Sequence, residues 1–276
     1  MRSLTRTVLS AAVAVTLAAV PAAATAGHQD AATTHVAVPA YFYPGQYWTQ
    51  LDDAAPTVGL AVANPDSGPG SALNTDYATA ISNAHHAGVR VIGYVDTGYF
   101  GTTGRTTRGG QTTVAAWTAQ IESDVDSWFS WYGGAGLAGI FFDDGLDDCG
   151  TDNAHVQLYK DIRAYVQGRS STATVVDNPG TGAEQCYTEA ADTLVTFEGT
   201  YASYASYQPP AWEASADPDQ LWHLLYGTPQ SDLANAVSLA RSRNAGYLYV
   251  TPDDLPNPWD TLPTGSYWTQ ELAAVS

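Results

Sequence analysis

Eight short apolar runs, with amphipathic helical stretches between several of them, constrain this chain more than any other feature. They are His35–Tyr43, Val58–Asn64, Val89–Thr97, Gly139–Asp144, Thr174–Asn178, Leu194–Glu198, Gln220–Tyr226 and Gly246–Thr251. Near-continuous apolarity, as opposed to strict alternation, marks strands buried on both faces, as in a parallel sheet covered by helices. Between the runs, Tyr77, Ile81 and Ala84 keep a helical period, as do Trp117, Ile121, Val125, Trp128 and Tyr132. Val156, Tyr159, Ile162 and Val166 form a third such stripe, and Leu233, Val237 and Ala240 a fourth. Gly88, Gly168 and Gly246 stand where helices should stop before the next strand. This alternation predicts an α/β fold, a (β/α)8 TIM-type barrel. Helical signals are weak after the first, fifth and sixth runs, so short helices are expected there. An open doubly wound sheet is the alternative, but no glycine-rich phosphate fingerprint follows the first run.

Residues 1–26 read as a signal peptide. Arg2 and Arg6 supply the positive region, Val8 to Val20 the apolar segment and Ala24-Thr25-Ala26 the cleavage site. The apolar segment falls well short of the roughly twenty residues that span a bilayer. Residues 27–34 are expected to be a flexible leader and residues 35–276 a single catalytic barrel, secreted to the extracellular space. Without Arg2 and Arg6, 8 basic residues stand against 28 acidic ones, a formal net charge of -20 in place of -18. Phosphate recognition depends on basic side chains, so nucleic acid and anionic membranes are disfavoured as partners. A neutral or cationic polysaccharide is compatible with this charge. A monomer without cofactors is expected. In an oxidising compartment the two cysteines, Cys149 and Cys186, are expected to pair, tying together two loops that follow strand ends.

The chemistry concentrates at the ends of the apolar runs. Gly139-Ile140-Phe141-Phe142 ends in Asp143 and Asp144, and Leu194-Val195-Thr196-Phe197 ends in Glu198. Barrel enzymes keep their reacting groups on that rim. Glycosidic cleavage needs one carboxylic acid to protonate the leaving oxygen and a second carboxylate to attack the sugar carbon or activate water. Asp143 and Glu198 are the candidate pair, with Asp144 beside them. Helix capping, a solvated loop or a salt bridge would account for each acid taken singly. The run Asp143–Asp148 could also hold calcium, although its acids do not follow the alternating register of a calcium loop. Tyr41, Tyr43, Asn64, Asp66, Tyr94, Asp96, Tyr99, Asn178, Asp253 and Asp254 close other runs or follow them. Aromatic rings stack on sugar faces and amides or carboxylates bind hydroxyls, so these are candidate substrate-binding residues. No metal site is expected, because His28, His35, His85, His86, His155 and His223 lack companion ligands at recognisable spacing. No Gly-x-Ser-x-Gly elbow is present.

Several strings resemble the spherulin-4 family. They are Val38–Gly45, Asn64–Gly70, Gly93–Tyr99, Gly139–Asp144, Asp177–Gly180, Phe197-Glu198 and Asn257-Pro258-Trp259, and together they span the chain after the leader. Fungal members form glycoside hydrolase family 135, distantly related to the endo-α-1,4-polygalactosaminidases. The resemblance implies a (β/α)8 barrel that cleaves α-1,4-linked N-acetylgalactosamine within galactosaminogalactan, an exopolysaccharide. It also implies that Asp143, Asp144 and Glu198 line the active site. Fungal members usually carry Glu at the position of Asp144, so this chain's acid is one methylene shorter. A non-catalytic carbohydrate-binding barrel is the competing reading of that difference.

Overall fold

The computed structural model describes residues 34–276; the stretch read as a signal peptide and nearly all of the expected leader lie outside the described residues. Eight parallel strands close into a barrel in sequence order. They are β1 (His35–Ala40), β2 (Val58–Ala63), β3 (Arg90–Asp96), β4 (Gly139–Asp143), β5 (Thr174–Asp177), β6 (Thr193–Thr200), β7 (Leu221–Tyr226) and β8 (Tyr247–Val250). Each strand is buried almost throughout, the property that made it legible as a continuous apolar run.

Among the described residues, seven α-helices cover the sheet. They are α1 (Gln46–Asp53), α2 (Thr75–Ala87), α3 (Val114–Tyr132), α4 (Ala154–Arg169), α5 (Tyr201–Ser206), α6 (Leu233–Ser242) and α7 (Gly265–Val275). The four predicted stripes are the buried faces of α2, α3, α4 and α6. Helices are short or missing where the signal was weak: α1 has 8 residues and α5 has 6, and only a 3-10 turn over Gln185–Glu189 lies between β5 and β6.

Two of the three expected glycine stops differ from the sequence reading. Gly88 is the left-handed cap of α2, at φ 99°. Gly168 instead lies inside α4, which runs on to Arg169. At the end of α6 the left-handed residue is Asn244, at φ 64°, and Gly246 serves close packing, since a Cβ there would lie 2.5 Å from the Pro218 carbonyl oxygen. Asparagine tolerates that conformation better than other non-glycine residues, so it can replace glycine as a cap. Gly93 in β3 is also a contact glycine: a Cβ would meet the Trp128 ring of α3 at 2.3 Å.

Between β8 and β1 only His35↔Tyr247 and Val36↔Leu248 are paired, as few as the two pairs that join β5 to β6. The chain compensates on either side of this seam. Buried Glu271 of α7 accepts the Val250 backbone N–H at 2.9 Å, and the Trp259 carbonyl accepts the Tyr41 N–H at 3.2 Å. A backbone donor without a strand partner has to be satisfied in some such way.

Candidate active site

Parallel strands all end on one rim, and there the register aligns Asp96 of β3 with Asp143 of β4. Asn178 follows β5, its backbone N–H donating to the Phe142 carbonyl at 2.7 Å. Glu198 arrives from β6 by a less regular route. Val195 pairs with Trp222, but the register then slips, so that Phe197 pairs with His223 and Glu198 with Leu224. This bulge at Thr196 changes the phase of the strand. Phe197 turns outward onto Tyr204 and Tyr207 of the α5 region. Glu198 thereby turns inward, to the side on which Trp222, Phe141 and Tyr94 pack.

The result is a compact carboxylate pair. Asn178 Nδ2 donates to Asp143 Oδ1 at 2.8 Å and to Glu198 Oε2 at 2.9 Å. Two bonds to one nitrogen place those oxygens no farther apart than the sum of the two lengths. That limit is close to the roughly 5–5.5 Å of a retaining pair and below the roughly 6.5–9.5 Å that leaves room for an inverting water. The other Asp143 oxygen accepts the Tyr94 hydroxyl at 2.8 Å. Tyr41 stands edge-on to the Tyr94 ring, with centroids 5.5 Å apart.

Burial dominates the electrostatics. It pushes Asp143 up to about 7, with the charges of Glu198 and Asp144 adding to it and the Tyr94 hydroxyl opposing. Glu198 is raised as well, first by burial, while the Asn178 amide and the Trp259 indole hold it down and Asp144 pushes it up. Burial and the adjacent Asp143 keep Tyr94 far above its ordinary range, so it donates as a neutral hydroxyl. Two carboxyls this close do not both ionise easily.

Asp144 is turned to different partners. Its backbone adopts φ 54°, in the left-handed region. Its Oδ1 accepts the Tyr99 hydroxyl at 3.0 Å, and its Oδ2 is ion-paired with Arg105. Tyr99 and Phe100 are left-handed too, at φ 53° and 50°. Thr97 Oγ1 braces the turn through the carbonyls of Asp143 and Asp144, at 2.9 and 2.8 Å. Such strain persists only where the surroundings over-determine it, and it concentrates at functional sites.

The other candidates divide between the acid pair and its surroundings. Asp96 joins the cluster, accepting the Gly98 N–H at 2.7 Å and pairing with Arg105 at 3.1 Å. Tyr43 is exposed and donates to Asp76 at 2.7 Å; together with Asp66 and Leu73 it lines a groove of about 590 Å³ beside β1 and β2. Asn64, Asp253 and Asp254 use side-chain oxygens on nearby loops. Asn64 accepts the Gly68 N–H, Asp253 the Thr261 hydroxyl and Asp254 the Leu255 N–H. Carboxylates of the run 143–148 do not converge on one point: Asp148 binds Gly150 and His155, away from the partners of Asp143 and Asp144.

Cys149 and Cys186 form a disulfide with Cα atoms 6.1 Å apart. Glu184 reinforces it by accepting the Cys149 N–H at 2.7 Å and donating its own N–H to Asp147 at 2.8 Å. The loops that follow β4 and β5, the first starting just beyond Asp143 and the second carrying Asn178, are thereby tied together. Two site residues were not singled out from the sequence. Arg105 sits in a loop with no motif of its own, and Trp259 was visible only as part of the string Asn257-Pro258-Trp259.

Residues 35–275 match the family described as Spherulation-specific family 4. Spherulin-4 of Physarum polycephalum is 28% identical over 249 residues, covering 86% of this chain and 69% of that protein. Sph3 of Aspergillus clavatus, solved in complex with GalNAc, superposes with a TM-score of 0.71 at 25% identity, covering 88% of this chain and 97% of that one. The endo-1,4-beta-mannanase of Rhizomucor miehei shares the fold at a TM-score of 0.52 and 10% identity, with 88% and 92% covered. The architecture is a glycosidase-like barrel, and the chain belongs to the spherulin-4 family.

Proposed function

We propose that the protein is a secreted, endo-acting, retaining α-glycoside hydrolase of a polysaccharide containing N-acetylgalactosamine or galactosamine. One observation carries this reading: Asp143 and Glu198 are bridged by a single Asn178 nitrogen, at a spacing suited to direct attack on a sugar carbon. Similarity to Sph3, which was solved with GalNAc, supports the choice of sugar. The disulfide is compatible with export.

In the first step the Asp143 carboxylate attacks the anomeric carbon as the glycosidic C–O bond breaks. Glu198 gives its proton to the departing oxygen. In the second step Glu198 takes a proton from water, whose oxygen attacks the same carbon and releases Asp143. Two inversions leave the configuration retained. An equatorial 2-acetamido group would approach from the wrong face to displace an axial leaving group, which favours an enzymic nucleophile. Tyr94 and Asn178 orient Asp143, while Tyr41 and the groove bearing Tyr43 and Asp66 offer surfaces for neighbouring sugar units.

A binding-only barrel would follow if the shortened Asp144 were a lost reacting group. Its engagement by Tyr99 and Arg105, with the pair intact beside it, favours the enzyme. Incubation with a galactosaminogalactan-type polymer is expected to release oligosaccharides. Binding without release across a panel of α-linked amino-sugar polymers would establish the binding module instead.

A further inference from the structure

We propose that Arg105 is a positioning residue of the active site. Fixed on the loop between β3 and α3, its guanidinium bridges Asp96 and Asp144 and sets the charge against which the Asp143–Glu198 pair works. The inference rests on the glycosidase reading above.

Geometry carries the argument. Arg105 reaches Asp96 through Nη2 at 3.1 Å and Asp144 through Nη1, a planar fork holding acids from two strands. The side chain is 44% exposed, and exposed ion pairs contribute little to stability, so fold maintenance is a poor reason for this placement. The backbone beneath it is fixed independently. The buried Trp117 indole donates to the Arg105 carbonyl at 3.3 Å, and the Thr107 N–H bonds to the Gln111 carbonyl at 2.8 Å. Three residues further on, Arg108 grips the buried carboxylate of Asp124 with both terminal nitrogens. A loop held at three points presents its guanidinium in one place.

The consequence is electrostatic. Facing the acid pair are Tyr41 just after β1, Tyr94 and Asp96 from β3, Tyr99 from the turn that follows, and Asp144 just after β4. Arg105 is the cation set among them. It draws the Asp144 carboxylate to itself and balances Asp96, so the pair feels less of their negative charge.

The test is the pH profile of kcat/KM on a soluble α-1,4-linked amino-sugar polymer, for the wild type, Arg105→Gln and Arg105→Lys. Without the cation, both carboxyls should hold their proton more tightly. The two limbs of the Arg105→Gln profile should then move to higher pH by about one unit, a roughly tenfold loss on the acid side that reverses on the alkaline side. Arg105→Lys should return the limbs to their wild-type positions with a lower plateau, because it restores the charge without the fork. A uniformly lowered Arg105→Gln profile with unmoved limbs, or one that superposes on the wild type, would overturn the proposal. An inactive wild type would instead overturn the enzymatic reading on which it rests.

Discussion

A single amide nitrogen, Nδ2 of Asn178, donates to both Asp143 and Glu198, so the charge state of one carboxyl governs the other. Asp143→Asn and Glu198→Gln are near-isosteric and remove only the ability to ionise. Each should lower kcat by at least about 10²–10⁴-fold, as steady-state rates would register. Stability should respond in the opposite direction. In the folded protein Asp143 is raised from the ordinary 3.8 to about 7, chiefly by burial, so the native state binds the proton more tightly than the unfolded chain does. That contribution is present below about pH 4 and is lost as pH rises through about 7. Asp143→Asn should therefore melt above the wild type near pH 8, with the gap closing towards pH 4, as thermal scans across that window would reveal. A lower melting temperature for Asp143→Asn near pH 8 would contradict the burial argument.

Elements place these residues, and two of them do so against the regular pattern. In β6 the slip at Thr196 decides which way Glu198 points. Without it, strict alternation would send Glu198 outward and Phe197 into the barrel. At the β8–β1 seam, α7 supplies what a strand partner would normally supply. Glu271→Leu removes the acceptor of the Val250 N–H and should cost about 1–3 kcal/mol in urea denaturation. Glu271→Gln keeps an amide oxygen in place and should lose much less. Burial raises the Glu271 carboxyl to about 8, so Glu271→Gln should gain on the wild type as pH climbs from about 4.5 to 8. Equal losses for the two variants would mean that the hydrogen bond to Val250 is not what Glu271 contributes.

At the scale of the molecule, sequence sufficed where a property was local. Strands buried on both faces read as unbroken apolar runs, helices read as stripes, and the parallel topology carried the acids late in β4 and β6 towards one rim. The pairing of Cys149 with Cys186 followed from there being two cysteines. What escaped was non-local. A bulge depends on register with the neighbouring strand, and Arg105 acquires its meaning only when β3 and β4 bring Asp96 and Asp144 together. Trp259 reaches the site from the loop beyond β8, through its packing against Tyr226 and Tyr249. Asp253 and Asp254, which share that loop, illustrate the converse: polar residues after a strand can serve loop geometry by bonding Thr261 and Leu255. The spacing of the acid pair in turn predicts the stereochemistry of cleavage, which belongs to the whole reaction cycle. Time-resolved proton NMR of hydrolysis of an α-1,4-linked N-acetylgalactosamine oligomer reads it directly, from the anomeric signals of the first product released. The account predicts the α-anomer first, equilibrating later to the mixture, with no signal from Asp143→Asn over the same interval. The β-anomer appearing first would contradict it.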